Sequence, residues 1–159
     1  MAAQAVVKDA PSGQNPFETT IQILSGGEGY GKTAIATELI YQLKDSPKCI
    51  ETSFFWITCG TMEELQENIE KTLSNDFGLQ CFEREEAKTY FLTTLNDTNF
   101  VIVFDGANDA SVLSILIDYI PNSKKGKVMI TTRTSAEDSA GIFPSAHIIP
   151  ITPWEGYKH

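Results

Sequence analysis

Five short apolar runs alternate with stretches of helical spacing along most of the chain. The first, Thr20-Ile21-Gln22-Ile23-Leu24, is β-rich, and its strand ends at Ser25. A helical run from Thr33 to Leu43 follows, with Ile35, Leu39, Ile40 and Leu43 on one face and Pro47 punctuating its end. Ser53-Phe54-Phe55-Trp56-Ile57-Thr58 is aromatic and β-branched, which predicts a buried strand. Thr61 with Glu64 three residues on is a capping-box signature. It opens a helix with Met62, Leu65, Ile69 and Leu73 inward and Glu63, Glu67 and Lys71 in solvent, broken at Gly78. A further helix spans Arg84 to Leu95, with Ala87, Tyr90, Phe91 and Leu95 on its inner face. Phe100-Val101-Ile102-Val103-Phe104 is the most apolar stretch and ends in Asp105. A helix from Asp109 to Ile120 is stopped by Pro121. Val128–Thr132 and His147–Ile151 complete the strands. Near-continuous apolar strands alternating with helices predict the α/β class: a three-layer α/β/α fold around a five-stranded, mostly parallel sheet covered on both faces.

Residues 1–17, with Pro11-Ser12-Gly13-Gln14-Asn15-Pro16, read as a flexible leader, residues 18–153 as one core and residues 154–159 as a tail. A length of 159 residues suits a single domain with a substantial core. The net charge of −9 argues against a nucleic-acid or anionic-membrane partner. Cys49, Cys59 and Cys81 form no C-x-x-C pair, and with two histidines in the chain a zinc site is unsupported. Sparse, odd cysteines, no membrane-length apolar run and no signal peptide make the cytoplasm the default location.

Chemistry enters between the first strand and the first helix. Gly26-Gly27-Glu28-Gly29-Tyr30-Gly31-Lys32-Thr33 spells G-x-x-x-x-G-K-[ST], the phosphate-binding loop, in the strand–loop–helix setting it requires. Glycines let backbone N–H groups curl around phosphate oxygens, and the following helix, entered through Ala34, points its positive end at them. Lys32 would reach the β- and γ-phosphates, and the Thr33 hydroxyl would ligate Mg²⁺. These residues predict a P-loop NTPase fold with a nucleotide as ligand. A second acidic group is needed at the end of a buried strand, and Asp105 is the carboxylate that terminates one, so Mg²⁺ is assigned to Thr33 and Asp105. Arg133 closes the strand of Thr131 and Thr132, where an arginine can report the γ-phosphate. Lys32, Asp105 and Arg133 are therefore the candidate catalytic set. Asp109 is read as a helix N-cap.

Gly26–Thr33, Phe55-Trp56-Ile57-Thr58, Phe104-Asp105-Gly106-Ala107-Asn108-Asp109 and Lys127–Arg133 occur in the order and spacing of NB-ARC domains. The chain resembles these STAND-class signalling ATPases of NOD-like receptors, most of all the fungal members, over residues 18 to 153. The resemblance implies that the Arg133 strand lies between the P-loop strand and the Asp105 strand. It also implies an ADP/ATP switch acting in signal transduction and innate immunity, with self-assembly as output and copies of itself or related NB-ARC proteins as partners.

Four departures qualify the transfer. Glu28 stands where the family usually has glycine or proline, and a carboxylate beside polyphosphate costs affinity unless it points outward. Gly106 replaces the acidic residue or asparagine that often follows the Mg²⁺ aspartate, so hydrolysis, if present, is expected to be slow. The family's helical and winged-helix subdomains are absent from these 159 residues, as is an effector domain before residue 18, and binding in the micromolar range or poorer is expected. A truncated, non-catalytic scaffold or decoy that pairs with full-length receptors is the alternative. A small P-loop kinase ranks lower, because Thr134–Asp138 offers no lid arginines. A GTPase ranks lower still, because no N-K-x-D follows Asp105.

Overall fold

The computed structural model describes residues 18–49, 51–80 and 83–152, so the leader 1–17, the tail 154–159 and Cys81 lie outside the described residues. In chain order the elements are β1 (Thr20–Ser25), α1 (Lys32–Lys44), β2 (Ser53–Thr58), α2 (Met62–Phe77), α3 (Arg84–Leu95), β3 (Phe100–Asp105), α4 (Ala110–Ile115), β4 (Gly126–Thr132), α5 (Ala136–Ile142) and β5 (His147–Pro150). The sheet order is β2-β3-β4-β1-β5. Every pairing is parallel, so the sheet is wholly rather than mostly parallel among the described strands. Parallel neighbours need crossover connections, and the helices supply them. The β4 strand sits between β1 and β3, as the NB-ARC resemblance implied.

Alternation along each strand divides the core. Ile21, Ile23, Phe55, Ile57, Phe100, Ile102, Phe104, Val128 and Ile130 share a cluster with the buried residues of α2, α3 and α4 and with Phe143 at the end of α5. Leu24, Val103 and Met129 pack on Ala36 of α1, with Ile35, Leu39 and Ile40 alongside. The three layers are thus unequal: α1 covers one face, and the other helices cover the opposite one. No helix among the described residues is long and apolar enough to cross a membrane.

That inequality explains where composition misled. The β2 strand, predicted buried, is an edge strand in which Phe55 and Ile57 are buried and Trp56 is 40% exposed. Trp56 belongs to the face that α1 only partly covers. Tyr90, expected inside, is 42% exposed, because Ala87, Phe91 and Leu95 at four-residue steps already fill the buried stripe of α3. The helix expected from Asp109 to Ile120 stops at Ile115 and tightens into a 3₁₀ turn over Leu116–Tyr119. Spacing of three residues per turn puts Leu116 and Tyr119 on one side, and both are buried.

Local signals were more faithful. The Thr61 side chain accepts from Glu64 N at 3.0 Å, and Glu64 Oε1 accepts from Gly60 N at 2.6 Å, so the box closes one residue earlier than the standard form. Gly78 ends α2 in the left-handed conformation, φ 66°. Helix α5 went unpredicted, since its acidic first turn was weighed only as a lid. Its signal was Ser135, whose hydroxyl accepts from Asp138 N at 3.0 Å.

Sheet packing is tightest where β4 begins. A Cβ on Gly126 would stand 2.3 Å from Cζ of Phe100, a side chain with no exposure. Gly126→Ala is expected to destabilise the fold by about 1–3 kcal/mol through overpacking, read as a lower urea midpoint at unchanged slope.

Candidate functional site

Because β1, β4 and β3 are adjacent and parallel, their carboxyl ends emerge side by side. The first leads into the loop, the second into Arg133, and the third ends at Asp105. Glu28, Gly29, Gly31, Lys32, Thr33, Ala34, Asp105 and Arg133, each predicted from sequence, line one cavity of about 480 Å³. Gly106, Asn108 and Thr131, which the sequence does not assign to the site, line it too. Gly26, Gly27 and Tyr30 are not among its lining residues. The Tyr30 ring lies against the first two glycines, where a Cβ on Gly27 would meet it at 3.0 Å.

Gly29 and Gly31 take φ of 81° and 86°, a left-handed backbone that other residues adopt only with strain. Gly31 is the N-cap of α1 and contributes no side-chain cap, so the first-turn amides of a 13-residue helix are left to whatever lies in the loop. Lys32 is only 9% exposed. Its Nζ donates to the carbonyls of Gly26 (2.7 Å) and Gly27 (2.8 Å), which hold it across the loop. Burial pushes its amine below the usual lysine range and the Arg133 charge adds to this, while Asp105 and Glu28 pull it back up.

Asp105 is the junction. Its Oδ1 accepts from Thr33 Oγ1 at 3.0 Å and from Thr131 Oγ1 at 2.7 Å. The Thr131 hydroxyl in turn accepts from Gly106 N at 2.7 Å, and its carbonyl accepts from Ala107 N at 3.0 Å. Register places it there: Phe104 pairs with Ile130, so the next residues, Asp105 and Thr131, meet at the strand ends. Thr131 was legible as part of the T-T-R segment, but its hold on Asp105 needed the β3–β4 register. Beneath Asp105, buried Cys59 directs its Sγ to the Asp105 carbonyl at 3.6 Å. Burial pushes this thiol up to about 12, with Asp105 and Glu64 adding to the effect. Asp109 caps α4 as expected, accepting from Val112 N at 2.9 Å, and its carboxyl is held below the usual range by Ser111 and that amide.

Arg133 faces the loop from across the cavity. Its Nη1 lies 3.5 Å from Glu28 Oε2, and both side chains are substantially exposed. Glu28 thus turns toward the arginine rather than away from the site.

These residues fit a polyphosphate with Mg²⁺. The loop offers left-handed glycines and a helix N-terminus without a side-chain cap, with a buried lysine beside them. Thr33 Oγ1 and Asp105 Oδ1 stand together as two oxygen donors. No cluster of three or more His, Cys, Asp or Glu suited to a metal occurs among the described residues. Mg²⁺ takes one or two protein oxygens and fills its shell with phosphate and water.

A family model described as the NB-ARC domain matches residues 7–141, most of the chain. No curated protein matches. Among solved structures, Cdc6p from Pyrobaculum aerophilum superimposes with a TM-score of 0.62 at 19% identity, covering 89% of this chain and 41% of its own. The ORC2 protein of Aeropyrum pernix, solved as ADPNP-ADP complexes, gives 0.54 at 10% identity, covering 94% and 45%. The chain therefore spans less than half the length of either structure, and at these identities the likeness is one of fold.

Two expectations follow from the junction. Thr131→Val removes the hydroxyl that serves Asp105 and Gly106 and is expected to cost about 1–3 kcal/mol in urea unfolding, because a part-buried amide loses its acceptor and Asp105 a donor. For Cys59 the folded thiol lies above the free value of 9.0, so its contribution is intact below pH 9 and lost as pH rises toward about 12. Urea midpoints measured across that window are expected to fall more steeply for the native chain than for Cys59→Ala.

Proposed function

This chain belongs to the NB-ARC domain family, and we propose that it is the ADP/ATP-binding core of a STAND-type signalling switch. The family match and the fold support a nucleotide-binding P-loop NTPase core. One observation above all supports the switch: Lys32, the Thr33–Asp105 pair and Arg133 converge on a single cavity at the ends of three adjacent strands. The adenine nucleotides named for the Aeropyrum pernix structure support the choice of base.

In this reading the loop amides and Lys32 hold the phosphates, Thr33 and Asp105 hold Mg²⁺, and Arg133 reads the terminal phosphate. Bound Mg²⁺ would supply charge neutralisation between phosphate oxygens. The nucleotide-binding core comprises residues 18–153. Hydrolysis is slow, because the carboxylates lining the cavity are already engaged. Asp105 accepts from two hydroxyls, Glu28 faces Arg133, and Gly106 brings no side chain. The output is self-assembly with its own copies or related NB-ARC proteins, in cytoplasmic signal transduction of the innate-immunity kind.

A second reading, a non-catalytic scaffold or decoy, draws on the exposed Trp56 on the β2 edge and on Tyr41, 62% exposed on α1. Lys32→Ala separates the two, since self-association that survives the loss of nucleotide binding favours the scaffold.

Titration calorimetry with ADP and Mg²⁺ tests the switch. Lys32→Ala is expected to weaken binding at least about tenfold, the scale of a lost charged hydrogen bond, with far-UV circular dichroism unchanged. Equal affinity in native chain and variant, or no binding by the native chain, would sink the proposal.

A further inference from the structure

We propose that Glu28 is a specificity-determining residue that biases this site toward a nucleoside diphosphate over a triphosphate by holding Arg133. The inference rests on the reading of Arg133 as the group that meets the terminal phosphate.

Three observations carry it. Glu28 and Arg133 are 105 positions apart in sequence, yet the fold brings them to the same cavity as Lys32 and Asp105. Their closest atoms, Oε2 and Nη1, are 3.5 Å apart, within ion-pair range. The carboxylate is carried by the loop itself, between Gly27 and the left-handed Gly29.

The consequence is electrostatic. A terminal phosphate that draws Arg133 away from Glu28 leaves that carboxylate unpaired beside a polyanion. Like charges at that range repel, and the same displacement removes a favourable pair. A diphosphate that leaves Arg133 with Glu28 meets neither cost. Glu28 therefore acts as an internal rival of the terminal phosphate, and its charge weighs against the triphosphate selectively. The pair is exposed, 47% at the arginine and 84% at the glutamate, so water and salt moderate the effect. An exposed pair of this kind corresponds to about a two- to fivefold change in an equilibrium constant.

The test compares affinities of the full chain for ADP and for the non-hydrolysable triphosphate ADPNP, with Mg²⁺ at low ionic strength. Glu28→Gln, Arg133→Gln and the double variant are measured beside the native chain. The native chain is expected to prefer ADP. Glu28→Gln is expected to shift the ADPNP-to-ADP affinity ratio toward ADPNP by about two- to fivefold, less in high salt. In the Arg133→Gln background the same change is expected to leave the ratio unmoved. A ratio unaffected by Glu28→Gln, with Arg133→Gln still weakening ADPNP selectively, overturns the role of Glu28 and leaves the switch reading in place. A shift of equal size with and without Arg133 overturns the mechanism through the arginine. Arg133→Gln affecting both nucleotides alike removes the premise and both readings of that residue with it.

Discussion

The Asp105 carboxylate joins three separate parts of the chain at one point. One of its oxygens accepts from Thr33 at the start of α1 and from Thr131 at the end of β4, while its own backbone closes β3. The phosphate loop, the arginine strand and the acidic strand are therefore fixed relative to one another by two hydroxyl groups and a strand register. A carboxylate at the edge of a buried sheet is costly unless hydrogen-bonded, and both donors to Oδ1 come from residues of the site itself. Packing and chemistry thus depend on the same contacts, and a change at Thr131 is felt by both.

Charge follows the same economy of place. The chain carries a formal −9, so a polyanion finds little general attraction along its surface. What it finds is local: a buried lysine held by loop carbonyls, uncapped helix amides and an arginine on the opposite wall. Each cation meets a protein acceptor, Lys32 the carbonyls and Arg133 the Glu28 carboxylate. Under the proposed function, phosphate oxygens would exchange with these partners, and the strength of those partners would set which phosphate is preferred.

Periodicity made the strands and most helices legible, because alternation and helical spacing are properties of the local chain. Thr61, Asp109 and Gly78 marked helix ends correctly, since capping is decided within a few residues. Trp56 and Tyr90 were misplaced for a shared reason: aromatic character signals that a side chain favours burial, but not that a neighbour is there to bury it. The unequal layers, with α1 the only helix on one face among the described residues, are a property of the assembled sheet.

By itself, the sequence determined the loop, its flanking strand and helix, and the three residues whose charges define the site. Their chemistry is written in residue type and short-range spacing, and a glycine or a lysine has the same capacities wherever the chain carries it. Only the tertiary structure decided that Thr131 stands opposite Asp105, that Cys59 lies beneath it, and that Glu28 turns to Arg133. Those relations depend on strand order and register, which bring residues up to 105 positions apart within hydrogen-bonding range. No local pattern encodes that, because the register of β3 on β4 is set by packing of the whole sheet.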